Sequence, residues 1–395
     1  MRILLVSHEL TVTGAPASLL RQAGYFLEAG HAVDVWSLAG GPLAARYEEA
    51  GIVPRIVRDD RRSLKTAYES AGKPYDFFLC NTTRTYRAVD VLRRYGIPIV
   101  WFIRETKLLD EDIWLNPDFE RVFRGFDNLY TVSEYAAGVV RRYNPNVRVI
   151  NNAVADRFRD FGPVSAGLRI GYIGSYTEQK GVSVLVEAFR RILVSHPDAR
   201  LVLAGDVGHP DCLARLKAET AGEDRIVWLG EVQGEAKAAF FESINVLCVP
   251  SYDEPSGLTV IEGAMYGKPV VTTDETGANY IVDSSSGRIV RAGDPAALAA
   301  ALAELAEADF AAMGAAARRR YLELGSVERE RRDVLRMLED NRNRVPQVSG
   351  RLRFDDAWRA VRIRRNRRGT VRLYLLGVKI LQWRGKGIRG KREQT

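Results

Sequence analysis

The chain has 395 residues, enough for two or more domains, and its 46% hydrophobic content is that of a globular protein. No apolar run reaches the roughly 18 to 20 residues of a membrane-spanning helix, and the start, MRILLVSHEL, is typical of a strand rather than a signal peptide. The net charge is +8, but residues 342–395 hold 17 Lys and Arg against three Asp and Glu. The remainder of the chain is therefore mildly acidic, which argues against a nucleic-acid-binding body.

Cysteine, histidine and acidic residues give no pattern typical of a metal site. The three cysteines are odd in number and lack zinc-type spacing, which favours a reducing compartment. The four histidines are scattered, and the acidic runs at residues 59–60 and 110–112 are more typical of solvated loops. We expect no metal and no bound cofactor.

Up to about residue 150, short apolar runs alternate with amphipathic segments. The segments at residues 15–29 and 84–95 predict helices, because each stops at a glycine that can form the left-handed cap. Strands that are apolar throughout predict a parallel sheet covered by helices on both faces. The predicted strands are RILLVSH, AVDVWSL, YDFFLCNT, PIVWFI, NLYTVS and VRVINNA.

The same alternation restarts after a break at residues 156–167, whose Gly and Pro and lack of periodicity predict a linker. The strands then predicted are LRIGYIGSY, ARLVLAGDV, RIVWLGEV, INVLCVP and KPVVTTD. We therefore predict two α/β domains, residues 1–155 and 168–325, followed by a surface helix at 326–341 and a basic tail at 342–395. Such pairs bind ligands in the cleft between domains, beyond the carboxyl ends of the strands.

The stretch DEPSGLTVIEGAMYGKPVV, residues 253–271, predicts a turn and a helix after a strand. Backbone N–H groups from about Gly257 to Thr259 would be free at the helix start, where the helix dipole favours a phosphate. Glu254 could then accept hydrogen bonds from a sugar, and Glu262 from a ribose. Two glutamates at this spacing also occur by chance on ordinary helix surfaces, so the spacing alone leaves both interpretations open.

This stretch resembles the E-x7-E motif of retaining glycosyltransferases of family 4, in the group that acts in bacterial surface polysaccharide synthesis. The resemblance continues through Gly267-Lys268-Pro269-Val270, and it departs from the family pattern at Ser256 and Gly263, where an aromatic residue and an alanine are usual. The family has two Rossmann-like domains that face each other across a cleft, the GT-B fold.

Other stretches resemble the same family. In GYIGSYTEQKGVSVLVEAF, Lys180 would contact the donor pyrophosphate, although Ser175 stands where many members have a basic residue. In SHELTVTGAPASLL, Gly14 and Ala15 at a helix start would face the cleft. LVLAGDVG resembles the next strand of the second domain, so that four motifs occur in the family's order over about residues 1–325.

One position departs from the relatives that share the first motif. They usually have His-Glu after the strand that here reads PIVWFIRET, whereas this chain has Arg104-Glu105. Arg104 cannot replace a neutral imidazole, but its guanidinium could bind a phosphate or an acidic sugar. The alternative is a structural ion pair of Arg104 with Glu105 or Glu111.

The resemblance implies a retaining, metal-independent hexosyltransferase that uses a nucleotide-sugar donor and a glycan or lipid-linked acceptor, as in lipopolysaccharide synthesis. The alternatives are a nucleotide-sugar 2-epimerase and a non-catalytic relative that binds nucleotide sugar or tethers a polysaccharide-assembly complex, which Arg104 and Ser175 would favour. The implied residues are Glu254 as the catalytic residue, Lys180, Ser256, Gly257, Leu258, Thr259 and Glu262 for the donor, and Gly14, Ala15, Arg104 and Glu105 at the acceptor side.

The basic tail combines arginines with apolar residues. Phe354, Trp358 and Val361 fall on one face of a helix, and TVRLYLLGVKILQW predicts a hairpin or a second short helix. Basic residues beside Trp and Leu are typical of a segment that binds anionic lipid. We therefore expect a cytoplasmic protein that is peripheral at the inner face of the cell membrane. Packing of the apolar face on the body, and nucleic-acid binding, are the alternatives.

Overall fold

The computed structural model describes residues 1–72, 75–162 and 167–345, except for the side chain of Leu108, and the backbone of three strands in the tail. These residues form two α/β domains, each built on a parallel sheet. The predicted α/β class is therefore confirmed.

The first domain has a seven-stranded parallel sheet in the order β3-β2-β1-β4-β5-β6-β7. Its strands are Arg2–Ser7 (β1), Ala32–Ser37 (β2), Arg55–Ile56 (β3), Phe77–Asn81 (β4), Ile99–Ile103 (β5), Leu129–Thr131 (β6) and Val147–Val149 (β7). Its helices are Gly14–Glu28 (α1), Leu43–Glu49 (α2), Arg61–Ser70 (α3), Tyr86–Leu92 (α4), Lys107–Leu115 (α5), Pro117–Arg124 (α6) and Glu134–Arg141 (α7).

The second domain repeats this order with six parallel strands, β10-β9-β8-β11-β12-β13. The strands are Arg169–Ile173 (β8), Arg200–Ala204 (β9), Ile226–Gly230 (β10), Val246–Val249 (β11), Val270–Thr273 (β12) and Gly287–Val290 (β13). The helices are Val182–Ile192 (α8), Pro210–Glu219 (α9), Gly234–Glu242 (α10), Leu258–Met265 (α11), Pro295–Ala306 (α12) and Phe310–Arg320 (α13), and a last helix follows at Val327–Asn341 (α14).

Burial on both faces explains why the central strands were predictable. All five residues of β4 and of β5 are buried, and separate apolar clusters cover the two faces of each sheet. The sequence did not predict β3 and β13. β3 has only two residues, both exposed, and β13 has a single buried residue, so neither forms an apolar run.

Helix α14, the predicted surface helix, crosses back to the first domain. Its residues Val334, Met337 and Leu338 belong to the same buried cluster as β1 and α1. At its start, the fully buried carboxylate of Glu330 accepts hydrogen bonds from Arg21 Nε at 2.6 Å and from the Tyr25 hydroxyl at 2.8 Å. The two domains are therefore connected twice, by the segment after β7 and by α14.

The tail contains a three-stranded antiparallel sheet, β14 (Val361–Arg365), β15 (Thr370–Leu375) and β16 (Val378–Arg384). Of the two predictions for TVRLYLLGVKILQW, the backbone matches the hairpin. The predicted helical face is wrong at Val361, which begins a strand, because the sequence from there alternates apolar and basic residues with the period of a strand. Phe354 and Trp358 lie outside the described residues.

Candidate active site

Glu254 and Lys180 meet at the carboxyl ends of the strands of the second domain. Glu254 lies in the loop after β11 and Lys180 in the loop after β8, at the two strands where the order of the sheet reverses. The ammonium group of Lys180 forms an ion pair with Oε2 of Glu254, and both side chains are partly exposed. Ligands of such sheets bind at this switch point, so a charged pair lies where a ligand is expected.

Two glycines allow close backbone approaches in the loops that carry Lys180 and Glu254. Gly181, directly after Lys180, has φ +69°, and a Cβ there would lie 2.0 Å from the carbonyl oxygen of Pro250. Gly257 has φ +70°, and a Cβ there would lie 2.7 Å from Cβ of Ala278. Both positions require glycine for backbone conformation and for space. Gly181 thus lets the loop of Lys180 lie against the end of β11, and Gly257 lets the start of α11 lie against residues 276–278.

The start of α11 faces the same place. The N–H of Gly257 donates to Oε1 of Glu254 at 3.3 Å, which modifies the expectation that this N–H would be free. For the N–H groups of Leu258 and Thr259 there is no acceptor within the described part of the chain. Two backbone donors and the positive end of the helix dipole thus remain for an anion.

Glu262 lies about one turn into α11 and has a basic partner that the sequence did not reveal. Lys237 of α10 donates to Oε1 of Glu262 at 2.6 Å, and both side chains are about three-quarters buried. Ser175, which replaces the basic residue of many relatives, donates to Asp206 at 2.8 Å. The carboxylates of Glu254 and Glu262 therefore each have one lysine beside them.

The first domain reaches this site through a buried carboxylate. Asp253 is 2% exposed and accepts hydrogen bonds from the hydroxyls of Thr106 at 2.5 Å and Tyr135 at 2.8 Å. Gln179 of the second domain donates to its other oxygen at 3.1 Å. Because Asp253 directly precedes Glu254, these contacts position the loop of Glu254 against the first domain.

A chain of hydrogen bonds continues from α1 to the same loop. The amide of Asn81 donates to the carbonyl oxygen of Ala15 at 3.0 Å and accepts from Nε of Arg104 at 2.5 Å. Arg104 also donates to Asn152 at 3.1 Å, and Asn152 donates to the hydroxyl of Ser256 at 2.7 Å. Two predicted acceptor-side residues are thereby connected to a predicted donor-side residue.

Arg104 is bound by amides rather than by carboxylates. Its side chain is nine-tenths buried, and burial lowers the pKa of its guanidinium to about 10. The expected alternative, an ion pair with Glu105 or Glu111, is wrong, because only the backbone N–H of Arg104 donates to Glu105, at 3.0 Å. One terminal nitrogen of the guanidinium has no hydrogen-bond partner in the described part of the chain.

Gly14 faces the second domain directly. A Cβ built on Gly14 would lie 3.8 Å from Cδ1 of Leu258, the first residue of α11. The starts of α1 and α11 therefore oppose each other across the cleft, as expected from the sequence.

Glu105 instead lines a cavity of about 620 Å³ within the first domain. The N–H of Thr83 donates to both of its oxygens, at 3.1 and 3.2 Å, and burial raises its pKa. The preceding residue, Thr82, has φ +76°, a conformation that costs energy for a β-branched residue and is typical of functional sites. His8, whose pKa is lowered by burial, and the exposed Arg84 line the same cavity.

The structure thus brings all of the predicted site residues to one region, with Glu105 on the adjoining cavity. It adds Lys237, Asn81, Asn152 and Asp253. In the described ranges, no group of three or more His, Cys, Asp and Glu side chains could hold a metal ion. None of the described helices combines the length and the apolar character needed to cross a bilayer.

The second domain matches a known protein family. Residues 167–308 match the family described as Glycosyl transferases group 1. The phosphatidyl-myo-inositol mannosyltransferase of Mycobacterium leprae is 34% identical over 164 residues, covering 39% of this chain and 43% of that protein. The D-inositol 3-phosphate glycosyltransferase of Streptomyces scabiei is 30% identical over 264 residues, covering 57% and 58%. The chain thus spans about half the length of these curated relatives.

Solved structures are similar over nearly the whole body of the chain. HepE from Anabaena, in complex with UDP, has a TM-score of 0.73 at 17% identity and covers 86% of this chain and 100% of that one. WaaG, a glycosyltransferase involved in lipopolysaccharide biosynthesis, has a TM-score of 0.64 at 14% identity and covers 85% and 99%. The predicted GT-B fold is therefore confirmed.

Proposed function

We propose that this protein is a retaining, metal-independent hexosyltransferase that uses a nucleotide-sugar donor. One observation carries the proposal: Lys180, Glu254 and the start of α11 meet at the cleft, in the segment that matches the glycosyltransferase family. An ammonium, two free backbone N–H groups and two carboxylates suit a sugar diphosphate better than a neutral ligand.

The donor would lie along α11. The N–H groups of Leu258 and Thr259 and the ammonium of Lys180 would bind the diphosphate. Glu262 would accept both hydroxyls of the ribose, with Lys237 holding its carboxylate in place. Glu254 would accept hydrogen bonds from the transferred sugar. Because the leaving phosphate can itself take the acceptor's proton on the same face of the sugar, the protein would contribute orientation and electrostatic stabilisation.

The acceptor would enter from the first domain. The cavity beside Glu105 is lined by Arg84, which forms no ion pair in the described part of the chain, and by Asp112 and Glu9. These carboxylates and the guanidinium of Arg84 suit the hydroxyl groups of a polyol or glycan. We propose an acceptor that is a glycan or a lipid-linked sugar of cell-surface glycan synthesis. The names of the two curated relatives make phosphorylated inositols the competing acceptor class.

The function is tested by incubating the full chain with UDP-, GDP- and ADP-hexoses, with and without acceptors of both classes. We expect release of nucleoside diphosphate only when an acceptor is present, in buffer with EDTA as well as without it. NMR of the product should show the anomeric configuration of the donor. A changed sugar in the arm without acceptor would indicate an epimerase. Donor binding without turnover in any arm would indicate a non-catalytic protein.

We also propose that the tail binds anionic membrane at its inner face. The register pairs Ile363 with Leu373 and Leu373 with Leu381, whereas Arg364 pairs with Arg372. Because residues of a strand alternate between two faces, this register puts most apolar positions on one face and most basic positions on the other, with Arg365 opposite Val371 as an exception. A sheet of this kind suits a lipid surface, with roughly 1 kcal/mol for each basic residue near it.

Liposome flotation tests the tail. We expect the full chain to float with liposomes that contain phosphatidylglycerol. With liposomes of pure phosphatidylcholine it should remain in the bottom fraction of the gradient. A protein truncated after residue 345 should float with neither kind of liposome. Equal flotation of the two proteins would contradict a membrane role for the tail.

A further inference from the structure

A second large cavity lies in the second domain, away from the cleft. It has a volume of about 630 Å³ and lies between the end of α11, helix α13 and the segment at residues 158–162. Asn245 and Pro269, which line it, precede β11 and β12, whereas Glu254 follows β11. The cavity therefore lies at the amino ends of the strands, whereas the candidate active site lies at their carboxyl ends.

The cavity contains a buried ammonium that forms no ion pair with any described residue, although the carboxylate of Glu242 is near enough to oppose the effect of burial on its pKa. Lys268 is only 6% exposed, and it donates to the carbonyl oxygen of Ile244 at 2.9 Å. Among the described residues no other acceptor and no ion pair is found for its ammonium, whose pKa burial lowers to about 8. A buried ammonium with one of three protons bonded is costly unless another acceptor is supplied.

A second cation of the cavity is also without an ion pair. Arg318 pairs with Asp156, and Arg159 pairs with Glu235. Arg319, which is exposed on α13, forms no ion pair with any described residue. The cavity thus contains two cations, Lys268 and Arg319, that could bind an anion without losing an existing carboxylate partner.

The walls are aromatic. The ring of Phe161 stacks on that of Tyr266 at 5.8 Å between centroids, and Tyr266 stacks on Phe241 at 4.4 Å. Phe158 is 45% exposed, which is unusual for a phenylalanine, and Phe310 completes the apolar lining. The Lys268 ammonium lies 5.4 Å from the centre of the Phe161 ring. Flat aromatic walls beside a cation are suited to a flat aromatic ligand that carries a negative charge.

We propose that this cavity is a second ligand site, which binds an aromatic anion through Lys268, Arg319 and the stacked rings. The anionic group of the ligand would accept hydrogen bonds from the Lys268 ammonium, and its ring would pack against Phe161 and Phe158. The site does not depend on the proposed transfer reaction, because it shares no side chain with the candidate active site.

The probe is 8-anilinonaphthalene-1-sulfonate, an aromatic sulfonate whose fluorescence rises in an apolar site. We expect saturable binding of one probe by the full chain. Lys268→Met keeps the apolar stem and removes the charge, so it should raise the Kd of the probe about tenfold or more. The same substitution at the donor side, Lys180→Met, should leave that Kd unchanged.

A second variant covers the case in which Lys268→Met fails to fold. Ala315 lines the cavity from an exposed position on α13, so Ala315→Phe should narrow the cavity without disturbing the core, and should also raise the Kd about tenfold. Circular dichroism and thermal unfolding verify the fold of each variant. The proposal is overturned if the wild type binds no probe saturably, if both cavity variants that fold bind like the wild type, or if Lys180→Met abolishes binding.

Discussion

Replacing Glu254 by glutamine is expected to lower the turnover number about 10²- to 10³-fold, with little change in the midpoint of thermal unfolding. Glutamine keeps an oxygen for the N–H of Gly257 but removes the negative charge beside Lys180. Glutamine has nearly the size and shape of glutamate, so the packing of this side chain, which is 18% exposed, should be preserved. In the proposed transfer, positive charge would develop on the sugar in the transition state, and the carboxylate of Glu254 would stabilise it.

The measurement is initial-rate kinetics at saturating donor and acceptor, beside differential scanning calorimetry of the same samples. Glu304→Gln is the matched control, because Glu304 also pairs with a basic residue, Arg288, but on α12, away from the cleft. The control should keep full activity. Wild-type turnover by the Glu254 variant would remove Glu254 from the catalytic role.

The largest effect on stability is expected from Glu330→Ala, which should lower the free energy of unfolding by about 3–5 kcal/mol. Glu330 is fully buried and bonds Arg21 and Tyr25 of α1, so its removal leaves the guanidinium of Arg21 without its counter-charge. Arg21 Nη2 would retain only the long contact of 3.5 Å to Ser18. The lost free energy would come from the contact between α14 and helix α1 of the first domain.

Urea unfolding followed by tryptophan fluorescence measures this loss. Glu328→Ala, an exposed position on the same helix turn, is the control and should change stability by less than about 1 kcal/mol. Replacing both Arg21 and Glu330 by methionine should recover most of the loss, because an apolar pair carries no unpaired charge. A Glu330→Ala variant as stable as the Glu328 control would show that the buried pair contributes nothing to the docking of α14.

The sheets could be predicted because buried strands leave a continuous apolar pattern in the sequence. All five residues of β5 are buried, whereas exposed β3 leaves no such pattern and was missed. The order of strands within each sheet could not be read from this pattern, since it depends on which buried runs pair. The cross-domain position of α14 was also not predicted, because its apolar face indicates burial but not against which domain.

The candidate site was predictable where residues follow strands and resemble a family motif. Lys180 and Glu254 are 74 residues apart in the chain, and the resemblance placed them in one site. Lys237 could not be predicted, because GEAKAAFFE is an ordinary helix sequence and the contact with Glu262 depends on how α10 lies beside α11. The same holds for Arg104, whose amide partners come from the ends of two other strands.

The return of α14 to the first domain has a consequence for synthesis on the ribosome. The strands and helices of the first domain are complete by about residue 150, but Val334, Met337 and Leu338 cover part of its core. At about 5–20 residues per second, these side chains emerge roughly 10 to 40 s after the rest of that domain. During that interval the nascent first domain presents an uncovered apolar groove. The domain translated first is therefore completed last.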